Sequence, residues 1–191
     1  MTRRAVFFDK DGVINIDKGI SGNFEPLDFI VGACDLIALF KKIGFMIFVV
    51  TNQPVVARGL MNEDELKSYF EKFSECILKN NSEAIIDKIY YCPHHPDANV
   101  EEYRIACECR KPKSGMIMRA VEEFKLDIKS SFMIGDRMSD VIAGCIAGCK
   151  TVHLLSGRHL EKAIVTDLKL DAEIAPDYII NELSELRSII V

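Results

Sequence analysis

Acidic and hydroxyl residues follow several of the apolar runs in this chain. Asp9 and Asp11 follow the run "AVFF", and Thr51 follows "IFVV". Asp136 and Asp140 belong to "GDRMSD", which comes directly after "SFMI". Taken singly, each is an ordinary turn or helix-start residue. Taken together at one edge of a sheet, the carboxylates would repel each other unless a cation lay among them, and Mg²⁺ with carboxylate and phosphate ligands is the usual solution.

This set of residues predicts phosphoryl transfer. An aspartate can attack phosphorus to form an aspartyl-phosphate, and a second group must then protonate the leaving oxygen. Asp9 suits the nucleophile, and Asp11, which faces the same way along an extended segment, suits the acid/base. Thr51 can donate its hydroxyl to a phosphoryl oxygen, and Lys111 can neutralise the charge there.

A second cluster lies in "YYCPHHPD" and "CECRKP", whose possible metal ligands are Cys92, His94, Cys107 and Cys109. Three sulfurs and one nitrogen suit tetrahedral Zn²⁺ with no open position, which is a structural site. His95 competes with His94 for this role, and the mirrored Cys-x-His and Cys-x-Cys spacings favour His94. Two disulfides or unrelated thiols are the alternatives. The expected task of the zinc is to clamp the loop so that Arg110 and Lys111 stand at the phosphate.

The composition is that of a globular protein, with 49% hydrophobic and 28% charged residues among 191. The net charge of −5 disfavours a general nucleic-acid binder. No apolar run is long enough to cross a bilayer, and the first residues lack an apolar signal region. We therefore expect a cytoplasmic monomer that binds neither nucleic acid nor membrane. Cysteines in that compartment are thiols or metal ligands, and four are expected to be small buried hydrophobes: Cys34, Cys76, Cys145 and Cys149.

Nearly continuous apolar runs predict parallel strands at 5–9, 45–52, 86–92, 131–136 and 149–155. Helical patterns separate these runs. Asn62 with Glu65 predicts a capping box, Ser114 can cap another helix, and Gly44 can end one. Strand and helix alternate, which predicts a single domain over 1–191 with a doubly wound, mostly parallel, Rossmann-like α/β sheet and no separate cap domain.

Two stretches, 12–31 and 92–112, fit neither pattern, and loops of that length in a compact domain are usually functional or stapled. The second is the expected zinc loop. The first is the expected substrate loop, and its candidate substrate-binding residues are Asn15, Asp17, Lys18, Gly19 and Ser21. The last residues predict a short strand and helix, while the pattern over 159–175 is ambiguous.

The motifs "DKDGVIN", "TNQ", "RKP" and "GDRMSD", in that order, resemble the four motifs of the haloacid dehalogenase-like phosphatases. The first motif alone is a weak signal, but the ordered set from Asp9 to Asp140 is specific. The cysteine and histidine spacing ahead of "RKP" resembles the zinc loop of one branch, which contains histidinol phosphatases and heptose-bisphosphate phosphatases. "TNQPVVARG" and "CPHHPD" are most similar to the heptose-bisphosphate members.

The resemblance implies roles for individual residues. Asp9 would be the nucleophile and Asp11 the acid/base. Mg²⁺ would be held by Asp9, the main-chain carbonyl of Asp11 and Asp136. Thr51 and Lys111 would stabilise the phosphoryl group.

The chain departs from the family pattern at two places. Pro54 and Val55 stand where many members have Ser-Gly, and proline has no N–H to donate, so main-chain contacts from this turn are partly lost. Val13 stands where the family usually has threonine, which removes one possible hydroxyl contact.

The implied reaction is removal of the 7-phosphate of D-glycero-D-manno-heptose 1,7-bisphosphate in nucleotide-activated heptose biosynthesis. Lys111 and Mg²⁺ would serve the transferring phosphate, so the further cations at the rim suggest a second phosphate: Arg58, Arg110 and Arg137. Arg110 is expected to hold it, because guanidinium binds phosphate in a bidentate way. Asn52 is another candidate substrate-binding residue. Histidinol phosphate as substrate, a phosphotransferase, and a catalytically silent binding module on the same fold remain alternatives.

Overall fold

The fold is built on one parallel sheet. The computed structural model describes residues 3–19, 27–156 and 174–191. In these ranges six strands pair in the order β3-β2-β1-β4-β5-β6, all neighbours being parallel. They are β1 Ala5–Phe8, β2 Met46–Asn52, β3 Lys88–Cys92, β4 Phe132–Gly135, β5 Lys150–Leu154 and β6 Tyr178–Ile180. The predicted doubly wound parallel sheet is therefore confirmed.

Helices cover both faces of the sheet. They are α1 Ala33–Lys42, α2 Glu63–Asn80, α3 Gly115–Phe124, α4 Met138–Ala147 and α5 Leu186–Ile190. Val6 and Phe8 pack into one apolar core, whereas Phe7, between them, packs into the other. Because each central strand is buried on both faces, its sequence is a continuous apolar run rather than an alternating one.

The helix ends agree with the predicted signals in all but one case. Asn62 accepts hydrogen bonds from the main chain of α2, and Glu65 accepts one from Asn62 N, which completes the capping box. Gly44 follows α1 with φ of 90°. The prediction for Ser114 was wrong in its mechanism. Ser114 does precede α3, but its side chain makes no capping hydrogen bond.

The strand order places a crevice between β1 and β4. The chain moves outward from β1 through β2 to β3, then returns to pair β4 beside β1 and moves outward on the other side. Ligands of such sheets collect at the carboxyl ends of the strands where the order reverses. Asp9 follows β1 and Asp136 follows β4, and Asp9 N donates to Ile134 O at 2.9 Å. Two of the candidate carboxylates therefore flank this crevice.

Some predictions fall partly outside the described ranges. Ser21 and the rest of 20–26 in the expected substrate loop lie outside them, as does most of the ambiguous stretch 159–175. Of the four cysteines expected to be buried, Cys34 and Cys149 are buried, while Cys76 and Cys145 are half-buried. Within the described ranges, none of the helices combines the length and apolar character that crossing a membrane requires.

Candidate active site

The ammonium group of Lys111 lies at the centre of the crevice. Its Nζ is 2.8 Å from Asp9 Oδ1 and 2.6 Å from Asp140 Oδ1, and it donates to Val50 O at 2.7 Å. Lys111 is 4% exposed, so its ammonium group has lost most of its water, and these three oxygens take the place of that water. The two ion pairs and this hydrogen bond join the end of β1, the helix α4 and the interior of β2 at one point.

Asn52 holds the main chain of Lys111 in place. Asn52 Oδ1 accepts from Lys111 N at 3.0 Å, and Asn52 Nδ2 donates to Lys111 O at 3.0 Å. Asn52 is the last residue of β2, so the strand itself sets the position of Lys111. The contact of Asn52 with substrate stays a prediction, and the structure gives its amide this positioning task.

Three buried carboxylates meet beside Lys111. One oxygen from each of Asp9, Asp136 and Asp140 lies within 4.8 Å of the others. Asp136 Oδ1 is buried and has no hydrogen-bond partner among the described residues. Gly12 lies against the same side chain, and a Cβ at that position would stand 2.1 Å from Asp136 Oδ2. A buried carboxylate oxygen without a donor, beside two further carboxylates, fits a hard divalent cation with oxygen ligands.

Burial and the neighbouring charges shift the pKa values of Asp136, Asp9 and Lys111. Burial, together with the neighbouring carboxylates of Asp9 and Asp140, raises the pKa of Asp136 to about 7. Burial likewise raises the pKa of Asp9 to about 6, against the opposing effect of the Lys111 ammonium. For Lys111, burial lowers the pKa, but Asp140 and Asp9 outweigh it and leave the pKa above its ordinary value. Without a bound cation, Asp136 and Asp9 are therefore harder to ionise than ordinary aspartates.

Asp11 lies in a different environment from Asp9. Its Oδ1 accepts from Lys10 Nζ and from Asn15 Nδ2 at 2.9 Å, and its Oδ2 accepts from Gln53 Nε2 at 2.9 Å. Burial raises the pKa of Asp11, but Lys10 and the hydrogen bonds outweigh it and leave the pKa below its usual range. Gln53 Nε2 also lies 3.0 Å from Thr51 Oγ1, which links the two residues.

The predicted zinc ligands form a compact cluster. Their sulfur–sulfur distances are 3.5 Å for Cys92–Cys107, 3.1 Å for Cys92–Cys109 and 3.3 Å for Cys107–Cys109. His94 Nδ1 lies 3.4 Å from Cys109 Sγ, and all four ligand atoms lie within 4.8 Å of one another. A tetrahedral Zn–S bond of about 2.3 Å places sulfurs about 3.8 Å apart, so the cluster is near the size of a zinc site.

The structure has neither disulfides in this cluster nor His95 in the place of His94. All seven cysteines are free thiols, and a disulfide would need sulfurs about 2 Å apart. His95 is turned elsewhere, because its Nδ1 accepts from Asp97 N at 3.0 Å. A hydrogen bond with Cys92 lowers the pKa of Cys109 to about 5, so one thiol of the cluster is already a good metal ligand.

The cysteine and histidine cluster is tied to the crevice through its own main chain. Arg110 follows Cys109 directly, and its guanidinium donates to His94 O at 2.9 Å. Gly115 N donates to Glu108 O at 3.0 Å, and a Cβ on Gly115 would stand 2.3 Å from that oxygen. The start of α3 thus packs directly on the cluster, which fixes the short segment that contains Lys111.

The other candidate substrate residues already have partners. Arg137 pairs with Asp17 at 3.0 Å, and Lys18 pairs with Asp28 at 2.7 Å. Arg58 donates to Asp97 O at 3.0 Å. The main chain of Gly19 donates to Asp17 Oδ1 at 2.7 Å. Their substrate contacts stay predictions, as do those of Asn15 and Arg110.

Sequence reasoning missed two polar residues, Lys10 and Gln53, that contact Asp11. Both lie inside quoted motifs, but a charged residue at a strand end is normally expected to face solvent. Asp140 was noted only as one member of a carboxylate set. Its pairing with Lys111 was not predicted. The available signal was its position four residues after Asp136 in "GDRMSD", which puts it in the first turn of α4.

The chain is similar to curated phosphatases along nearly its whole length. It is 38% identical over 182 residues to the D-glycero-beta-D-manno-heptose-1,7-bisphosphate 7-phosphatase of Photorhabdus laumondii, with 95% of this chain and 92% of that one covered. The enzyme of the same name from Escherichia coli is 36% identical over 183 residues, covering 95% and 91%. A family model described as HAD-hydrolase-like matches residues 108–186.

A solved structure shares the fold. It is the D,D-heptose 1,7-bisphosphate phosphatase from B. bronchiseptica, complexed with magnesium and phosphate. The TM-score is 0.76 at 24% sequence identity, and 97% of each chain is covered. The sheet and its crevice are therefore a known architecture.

The raised pKa values of Asp136 and Asp9 predict a pH-dependent stability. In the unfolded chain both aspartates titrate near pH 4, so between pH 4 and 7 the folded chain holds protons that the unfolded chain has lost. Raising the pH through this window therefore destabilises the metal-free protein. Mg²⁺ binds the ionised form, so we expect it to raise the thermal midpoint more at pH 8 than at pH 5.

Comparison with Asp136→Asn separates this effect from the other titrating groups. Relative to this variant, the parent should lose stability as the pH rises without Mg²⁺, and most of its Mg²⁺ response should be absent from the variant. Asp64→Asn, a substitution of an exposed helix residue, is the matched control and should behave as the parent. Identical thermal midpoints of parent and Asp136→Asn across pH 5–8, with and without Mg²⁺, would contradict the assignment.

Proposed function

The chain belongs to the haloacid dehalogenase-like phosphatases, and from that membership and its site we propose that it removes the 7-phosphate of D-glycero-D-manno-heptose 1,7-bisphosphate. The reaction would serve nucleotide-activated heptose biosynthesis. The observation that carries the proposal is the meeting of Asp9, Lys111 and the buried carboxylates Asp136 and Asp140 at the switch of the sheet. The two relatives with the corresponding name each match 95% of the chain.

Mg²⁺ is the proposed cofactor of this site. Asp9, the main-chain carbonyl of Asp11 and Asp136 would hold it, and Asp136 Oδ1 has no competing donor among the described residues. When bound, the ion supplies positive charge to the phosphoryl oxygens and keeps the carboxylates ionised. Lys111 supplies a second, permanent positive charge 2.8 Å from Asp9.

The proposed reaction has two steps on these residues. A carboxylate oxygen of Asp9 attacks phosphorus and the ester P–O bond breaks. The leaving oxygen keeps the electron pair of that bond and receives a proton from Asp11. Water then attacks the phosphorus of the aspartyl-phosphate and gives a proton to Asp11. The bond to Asp9 breaks and restores its carboxylate. The sum is ester plus water to alcohol plus inorganic phosphate.

Zn²⁺ is the proposed occupant of the cysteine and histidine cluster, with Cys92, His94, Cys107 and Cys109 as its ligands. With four protein ligands the site would be closed and structural. It would fix the loop 92–112, and through Arg110 and Gly115 it would fix the segment that presents Lys111.

The basic rim supports a substrate with a second phosphate. Arg110 uses one N–H on His94 O and keeps further donors in its planar fork. Burial lowers the pKa of Arg110, and the charge of Arg137 adds to that effect against the opposing cysteines of the cluster. A second anionic group would relieve the repulsion between the two guanidinium groups. The same cations disfavour histidinol phosphate, whose amine would be repelled.

Cellular context completes the proposal. We infer a single domain over 1–191 that works as a cytoplasmic monomer, with loop 12–31 contacting the sugar and loop 92–112 the second phosphate. Two observations support this reading. The seven cysteines are free thiols, and the charged groups of the rim suit a small anionic metabolite.

Removal of the nucleophile should abolish turnover. Asp9→Asn leaves an amide that cannot form the aspartyl-phosphate, and Asp11→Asn should slow turnover about 10²–10⁴-fold by removing the proton carrier. Hydrolysis of a chromogenic phosphate ester, with and without Mg²⁺, measures both. Asp64→Asn serves as the control for a lost surface carboxylate. Normal turnover by Asp9→Asn would place the nucleophile elsewhere.

The metal content of the purified protein tests the zinc proposal. Elemental analysis should find about one zinc per chain, as expected for a closed four-ligand site. The double variant Cys107→Ser/Cys109→Ser should lose the zinc and much of its activity, because Arg110 and Lys111 are then no longer held. Cys145→Ser, at a cysteine outside the cluster, should keep both. Purified protein that contains no zinc and has full activity would contradict the zinc proposal.

Substrate preference tests the function itself. The panel is the α- and β-anomers of heptose 1,7-bisphosphate, histidinol phosphate and fructose 1,6-bisphosphate. We expect the highest kcat/KM for one heptose anomer. Arg110→Ala should raise KM for the bisphosphate roughly tenfold or more, as a lost charged hydrogen bond would, and should change KM for a simple monophosphate far less. Arg119→Ala, on the outer face of α3, is the control.

Two results would count against the proposed substrate. One is an equal loss for Arg110→Ala on bisphosphate and monophosphate. The other is a parent enzyme with a higher kcat/KM for histidinol phosphate than for either heptose anomer.

A further inference from the structure

Lys10 is buried at the catalytic edge with its charge directed at Asp11. Its side chain is 0% exposed, while that of Asp11 is 30% exposed. Nζ donates to Asp11 Oδ1, to Asn15 Oδ1 at 3.3 Å and to Tyr69 OH at 3.2 Å. It also lies 5.5 Å from the centre of the Phe73 ring. The ammonium is thus enclosed on the core side, and the exposed part of the pair belongs to Asp11.

The contacts of Asp11 distinguish its two oxygens. Oδ1 accepts from Lys10 and Asn15, both of which are buried. Among the residues that the structure describes, Oδ2 accepts one hydrogen bond, from Gln53 at 2.9 Å, which leaves it further acceptor capacity. A proton in transit to a leaving oxygen therefore has room on Oδ2, whereas Oδ1 already faces a cation and an amide donor.

A purely structural role explains this arrangement poorly. A buried ion pair is expensive to desolvate, and well-packed apolar residues of similar size often serve stability equally well. The position of Lys10, next to α2 and its aromatic residues Tyr69 and Phe73, would accept such a residue. What an apolar residue could not do is hold one oxygen of Asp11.

We propose that Lys10 is a positioning residue for the acid/base: it fixes Asp11 through Oδ1, so that Oδ2 carries the proton to and from the reacting oxygens. Tyr69 and Asn15 hold the ammonium in turn. The inference rests on the proposed function, in which Asp11 protonates the leaving oxygen. It adds a residue whose side chain acts through Asp11, while its main-chain N–H donates separately to Asp9 Oδ1 at 2.7 Å.

The leaving group of the substrate tests this role. Phenyl phosphate needs a proton on its leaving oxygen, whereas 2,4-dinitrophenyl phosphate releases a stable phenolate without one. The parameter kcat/KM reports only the steps up to that release. A misplaced acid should therefore slow the first substrate alone. We expect Lys10→Met to lower kcat/KM for phenyl phosphate roughly 10- to 100-fold, and for the dinitrophenyl ester less than about threefold.

Matched variants complete the experiment. Asp11→Asn should show the same selectivity with a larger loss. Lys41 lies away from the crevice, where its Nζ pairs with Asp87 Oδ2 at 2.8 Å. Lys41→Met should leave kcat/KM for both substrates unchanged. If Lys10→Met does not fold, as judged by thermal unfolding, Tyr69→Phe replaces it, because it removes a partner of Lys10 and keeps the ring. A selective loss of about two- to fivefold is then expected.

The outcomes separate the two claims. A loss confined to phenyl phosphate supports the positioning role of Lys10. Equal losses on both esters, or no loss on either, from a folded Lys10 or Tyr69 variant would overturn it while leaving the phosphatase intact. A parent enzyme that hydrolysed neither ester would contradict the proposed function instead, and the role of Lys10 would fall with it.

Discussion

The buried ion pairs of Lys111 are the contact on which the rest of the site depends. A single ammonium group lies between the carboxylates of Asp9 and Asp140 and also donates to Val50 O. It thereby joins two strands and a helix that are far apart in sequence. Removing the cation would leave two buried carboxylates unpaired beside Asp136, which is far more unfavourable than losing an exposed pair. The carboxylates, in turn, keep Lys111 charged.

Much of the irregular chain can be understood as the means of holding that lysine. Asn52 forms two hydrogen bonds to its main chain, and the close contact of Gly115 with Glu108 seats the following helix on the cysteine and histidine cluster. A loop of this length has no periodic hydrogen bonding of its own, so its position has to be imposed by side chains. The cluster, whose sulfurs lie 3.1–3.5 Å apart, is a means of doing so within a few residues of Lys111.

The site contains neighbouring aspartates whose pKa values are shifted in opposite directions. Asp9 and Asp136 are buried among other carboxylates, which raises their pKa values and makes them responsive to a divalent ion. Asp11 is surrounded by donors and by the Lys10 ammonium, which lowers its pKa in spite of burial. Divergent environments of this kind are how similar carboxyl groups come to perform different tasks. The difference arises from neighbours on other elements rather than from the aspartates themselves.

The sequence by itself determined the strands, the fold class and the grouping of Cys92 with Cys109, because apolar runs and short spacings are local properties that survive without knowledge of packing. It also placed Asp9 and Asp136 at strand ends, where parallel topology brings them together. Only the tertiary structure decided that Asp140 pairs with Lys111 and that Lys10 turns inward. Those contacts depend on the strand order and on which helix covers each face, and a buried charge finds its partner only once the surrounding chain has excluded water.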